Sequence, residues 1–179
     1  MLNTLELLAT VMETVNTDLP PTAVADFQAG VFMAAFSMDV RENLNACFVQ
    51  DSDLAAGIDT IIKDVEAKDY KSAATAAKAL VPNVQKDVDP CMKDDKYSDV
   101  QAAYKAEETV GLAVKADSNA KTKIITQATL HALKIKKDAT DLQTKFDSGD
   151  YYGAGQVAGE IEAIVLKPWM KSYNDEFLQ

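Results

Sequence analysis

Ile124, Ala128, His131, Ile135, Ala139, Leu142 and Phe146 follow one another at spacings of 4, 3, 4, 4, 3 and 4. That period gathers them on one face of an α-helix and would scatter them over both faces of a strand. A chain written in this period buries helix stripes. The same period recurs along its length. Leu2, Leu5, Leu8, Val11, Met12 and Val15 mark a helix over about 2–18, ended by Pro20-Pro21. Thr22 opens a second, through Phe27, Val31, Phe32, Ala35 and Phe36 toward Cys47. Asp51-Ser-Asp53 caps a third carrying Leu54, Ile58, Ile61, Ile62 and Val65. An alanine-rich fourth follows Tyr70 and ends near Cys91, with Pro82 expected to kink or divide it. Beyond the polar run 93–99 come a helix over 100–115, a break at Ser118-Asn119, and the stripe described above. A last helix runs from Asp150 through Val157, Ile161, Ile164 and Val165. Seven Gly and five Pro supply too few turns for a sandwich or barrel. The expected fold is therefore all-α, an up-and-down helical bundle.

The two halves of the chain resemble each other. Val65-Glu-Ala-Lys-Asp-Tyr-Lys-Ser-Ala73 aligns with Phe146-Asp-Ser-Gly-Asp-Tyr-Tyr-Gly-Ala154 at an offset of 81. The offset also pairs Ile61 with Leu142, Ala77 with Ala158, Leu80 with Ile161, Val84 with Val165 and Gly30 with Gly111. Each half reads as a helical hairpin: a helix, a turn N-capped by Asp, and a helix with small residues toward its neighbour. Two similar halves are expected, 1–97 and 98–179, packed as one globular unit. The first holds 16 acidic and 8 basic residues, the second 12 and 10.

Cys47 and Cys91 are 44 positions apart, and the first hairpin brings them together, so a disulfide between them is expected. Two reduced thiols in a cytoplasmic protein are the alternative. The disulfide favours a secreted or extracellular protein. The N-terminal segment has Glu6 and Glu13, no basic start and no unbroken apolar run, so secretion implies numbering that begins after a removed signal peptide. No stretch is long and apolar enough for a transmembrane segment.

A net charge of −10 over 179 residues opposes general nucleic-acid binding, which needs clustered Lys and Arg. One histidine and one arginine, His131 and Arg41, leave no His-pair metal site and no arginine cluster for phosphate. Gly153-Ala-Gly155-Gln-Val-Ala-Gly159 is one residue too long for a dinucleotide loop and follows no strand, so it reads as helix packing through small residues. Asp87, Asp89, Asp94 and Asp95 lack the alternating ligands of a calcium loop and read as caps and solvated charge. Lys134, Lys136 and Lys137 read as a solvated helix face. No cofactor, metal or catalytic constellation is expected. Phe27, Phe32, Met33, Phe36 and His131 read as core, with the lining of an apolar-ligand cavity as the alternative. Trp169, Tyr173 and Phe177 read as an interaction surface or a cover over the bundle end.

The Cys47…Cys91 hairpin, with Asp69-Tyr70 midway and helical flanks, resembles the small secreted, cysteine-poor helical proteins that ciliates encode in large numbers. Its layout is also similar to the plant invertase and pectin methylesterase inhibitors, four-helix bundles with a disulfide joining two central helices. That family carries a second, N-terminal disulfide hairpin, which this chain lacks. The expected function is that of a non-enzymatic structural or interaction protein, secreted or surface-associated and self-assembling, with a protein partner or a second copy as its ligand. A carrier of a small apolar molecule in the bundle core is the alternative, and a proteinaceous enzyme inhibitor a further one.

Overall fold

A computed structural model describes residues 20, 22–48, 60 and 70–170. Its elements are α1 (Ala23–Phe36), α2 (Arg41–Cys47), α3 (Tyr70–Lys93), a 3-10 turn η1 (Asp95–Tyr97), α4 (Ser98–Ala116), α5 (Ala120–Leu130), α6 (Ala132–Asp147) and α7 (Tyr151–Val165). No strand occurs among the described residues, and the fold is an all-α helical bundle. The helix expected over 2–18 and nearly all of the one after Asp51 lie outside the described residues.

Among the described helices, α1 is enclosed nearly all round. Ala23, Ala25, Phe27, Ala29, Gly30, Val31, Phe32 and Phe36 are buried, which covers most of its circumference. A helix apolar nearly all round must be surrounded by others. Its most extensive partner is α7, which buries Gly153, Ala154, Gly155, Val157, Ala158, Gly159 and Ile161. The pair runs parallel, because Phe27 faces Gly155 and Val31 faces Gly159. A Cβ at Gly155 would sit 2.0 Å from the Phe27 carbonyl oxygen, and one at Gly30 would sit 2.2 Å from that of Tyr152. Only hydrogen at these positions lets the backbones come so close. The glycine run therefore serves helix packing, as its sequence suggests, and its partner lies in the other half of the chain.

Two helices end where periodicity gave no notice. The helix from Thr22 was expected to continue toward Cys47; it stops at Phe36, where Ser37 takes a left-handed conformation with φ 58°. Ser37 N–H donates to Met33 O at 3.1 Å and Met38 N–H to Phe32 O at 3.2 Å, the double closure of a helix C-terminus. The chain turns back, and Val40 and Leu44 return to the core at 2% and 0% exposure. Likewise the stripe from Ile124 to Phe146 is two helices, broken at His131, where φ is −113° and ψ 18°. The ladder persists around the break: His131 N–H donates to Gln127 O and Ile135 N–H to His131 O. Along the stripe, Ile124 to Ala139 are half-buried, whereas Leu142 and Phe146 are buried. Conversely, α3 passes Pro82 undivided.

Cys47 and Cys91 close the first half, with 2.01 Å between sulfurs and 5.1 Å between Cα atoms. They sit in one core cluster with Phe32, Phe36, Val100, Val110 and Trp169. At the α6–α7 turn, Asp150 Oδ1 accepts from Gly153 N–H at 2.9 Å, and Gly149 takes φ 80°. The first-half counterparts of this turn, 61–69, fall outside the described residues. The glycines paired by the repeat have different surroundings: Gly30 is pressed on α7, while nothing lies within 4 Å of a Cβ at Gly111.

Candidate functional site

The residues best suited to catalysis are occupied in holding helices together. Arg41 Nε donates to Asp26 Oδ1 at 2.7 Å, Asn45 Nδ2 donates to the same oxygen at 2.9 Å, and the guanidinium lies 4.4 Å over the Tyr152 ring. Burial opposes the Asp26 charge. The hydrogen bonds from Arg41 and Asn45 and the guanidinium charge outweigh it, holding the carboxyl below the usual aspartate range. This cluster ties α2 to the start of α1 and α7. His131 is half-buried at the α5–α6 break. Among the described residues no three His, Cys, Asp or Glu side chains gather as a metal site.

A second polar group lies between α1 and α4. Gln28 Nε2 approaches Glu107 Oε2 at 3.4 Å, and burial pushes the Glu107 carboxyl up to about 6. Tyr104 is raised as well, by burial first and then by the Glu107 charge. A carboxyl titrating near neutrality is what acid–base chemistry uses. The neighbours given to it here are an amide and a phenol held protonated, a pair with no nucleophile.

The expected aromatic core divides. Phe27, Phe32 and Phe36 are buried and meet other rings: Phe27 with Phe146 at 6.5 Å, Phe32 with Tyr104 at 5.0 Å and with Phe36 at 6.5 Å. Edge-on and tilted contacts of this kind are ordinary core packing. Met33 departs from the expectation. It is 37% exposed, since its position on α1 points away from both α7 and α4.

Of the two readings given for Trp169, a free interaction surface and a cover over the bundle end, its burial agrees with the second. The ring is 5% exposed and belongs to the core cluster. One further turn after α7, closed by Trp169 N–H to Leu166 O, carries it inward. Its Nε1 donates to Asp117 Oδ2 at 3.1 Å, and Lys123 Nζ bonds the same oxygen at 2.6 Å and lies 5.8 Å from the indole centroid. Lys123 first, then the Asn119 backbone N–H, hold the Asp117 carboxyl low. Tyr173 and Phe177 lie outside the described residues.

The surface that sequence reasoning missed is on the outer side of α5 and α6. Ile125 is 54% exposed, Leu130 70% and Leu133 88%. Ile125 and Leu130 lie on the last turns of α5 and Leu133 on the first turn of α6, on either side of the break at His131, all three turned away from the buried side. A signal was present. These three residues are off the inward stripe, and residues 118–137 hold five lysines and no Asp or Glu in a chain of net charge −10. Reading Lys134, Lys136 and Lys137 as solvated charge passed over the leucines between the lysines. No described helix is long and apolar enough to cross a membrane. No family model, curated protein or solved structure matches the chain.

Proposed function

We propose that this protein is a non-enzymatic structural or interaction protein, secreted or surface-associated, that self-associates. The observation carrying this reading is the exposed strip Ile125, Leu130 and Leu133. Scattered surface leucines are ordinary, but three large apolar side chains at this exposure within nine residues, among lysines, support reading this face as a contact surface. Cys47 and Cys91 at bonding distance support a location outside the reducing cytoplasm. The groups best suited to chemistry, Arg41, Asp26 and Glu107, are engaged with helix neighbours, which supports a role without catalysis. The test is the mass of the purified protein by light scattering across a dilution series. A mass that climbs above the monomer as concentration rises is expected; a monomer throughout, at high concentration and low salt, sinks the reading.

A further inference from the structure

We propose that the outer face of α5–α6 docks on a second copy of this chain, against the acidic end formed by α2 and η1, as a head-to-tail contact. The inference rests on the self-association reading and adds which two faces meet. Of the five lysines between 118 and 137, two are committed within the copy. Lys123 pairs with Asp117 at 2.6 Å; Lys134 pairs with Asp138 at 2.6 Å and Glu160 at 2.9 Å. Lys121, Lys136 and Lys137 stand exposed. Lys136 and Lys137 are three and four residues beyond Leu133, so they border the apolar strip on the same outer face.

The chain carries the counter-charge itself. A strip of +5 in a chain of −10 leaves −15 on everything else. At the α2–η1 end Asp39, Glu42, Asp94 and Asp95 are exposed, and Met92, 43% exposed, adds apolar surface beside them. The cations nearest in sequence are already engaged: Arg41 with Asp26, Lys93 with Asp89, and Lys96 over the Tyr97 ring. Apolar side chains supply the affinity of such a contact, and opposite charges set its orientation and rate. Because the two faces differ, each copy keeps one of each free, and the contact is heterologous. Lysines and leucines together also suit an anionic lipid surface. Such a surface repels the remaining −15, and two chains of −10 repel overall as well; what favours the second copy is the local match of the exposed lysines to its Asp39, Glu42, Asp94 and Asp95.

Sedimentation of the full chain at low and high salt tests this, using three variants shown to fold by circular dichroism: Lys136→Glu with Lys137→Glu, Asp94→Lys with Asp95→Lys, and Leu133→Ser. Each is expected to weaken association by about tenfold or more, and mixing the two charge-reversed proteins is expected to restore it. If the native chain associates and the variants do so equally well, the assignment of faces is overturned while self-association stands. A native chain that stays monomeric overturns both. If the monomer instead binds phosphatidylserine vesicles over phosphatidylcholine ones, and Leu133→Ser abolishes this, the face belongs to a membrane and the assignment to a second copy is overturned.

Discussion

Gly155 shows how much one hydrogen atom decides. A methyl at this position would lie 2.0 Å from the Phe27 carbonyl oxygen, backbone against backbone, so α1 and α7 would have to separate. Gly155→Ala is therefore expected to destabilise by about 3 kcal/mol, measured by urea unfolding. Gly111→Ala, with open space around it in an exposed helix, is expected to stabilise by about 0.5 to 1 kcal/mol. Equal effects of the two changes would contradict the contrast drawn here. Glu107 has its own pH signature. Its folded value, about 6, lies above the ordinary 4.5, so its contribution to stability is present below 4.5 and is lost as pH rises through 6. Glu107→Gln should match the native protein at pH 4 and exceed it by about 1 to 2 kcal/mol at pH 8. An advantage that instead grew toward acid would show that burial is not what governs this carboxyl. In the sequence the glycines announced close helix packing, but no local signal named α1 as the partner. Nothing marked Glu107 as half-buried, because its neighbour Gln28 on α1 lies 79 residues away along the chain.

At the scale of helices, periodicity located the described elements and failed at their joints. The burial period says which face turns inward, and it continues unchanged through His131 because the inward stripe itself continues. The break there is a backbone departure at a residue whose neighbours still hydrogen-bond in helical register. Ser37 ends α1 with a left-handed φ, a position more often given to Gly or Asn, so composition gave no stop signal. The cysteines were legible for the opposite reason: two alone permit only one pairing. Closing a 44-residue separation, the disulfide is expected to stabilise by roughly 4 kcal/mol. Cys47→Ser combined with Cys91→Ser should lower the urea midpoint accordingly; an unchanged midpoint would mean that the α2–α3 contact holds without it.

For the whole molecule, charge is unevenly placed along the chain. The acidic excess belongs mainly to residues 1–97, while 118–137 is free of acid and carries, among the described residues, the two most exposed leucines. Net charge was plain in the composition, and the inward stripe already left Ile125, Leu130 and Leu133 off it; their high exposure, with Leu142 and Phe146 buried, is what the structure adds. The most direct measurement is amide hydrogen exchange followed as protein concentration rises. Amides of residues 120–137 should slow with concentration, while those of α1, already enclosed by α7, should not change. Exchange in 120–137 that stays constant while the sedimenting mass increases would contradict the account, because association would then proceed through another face.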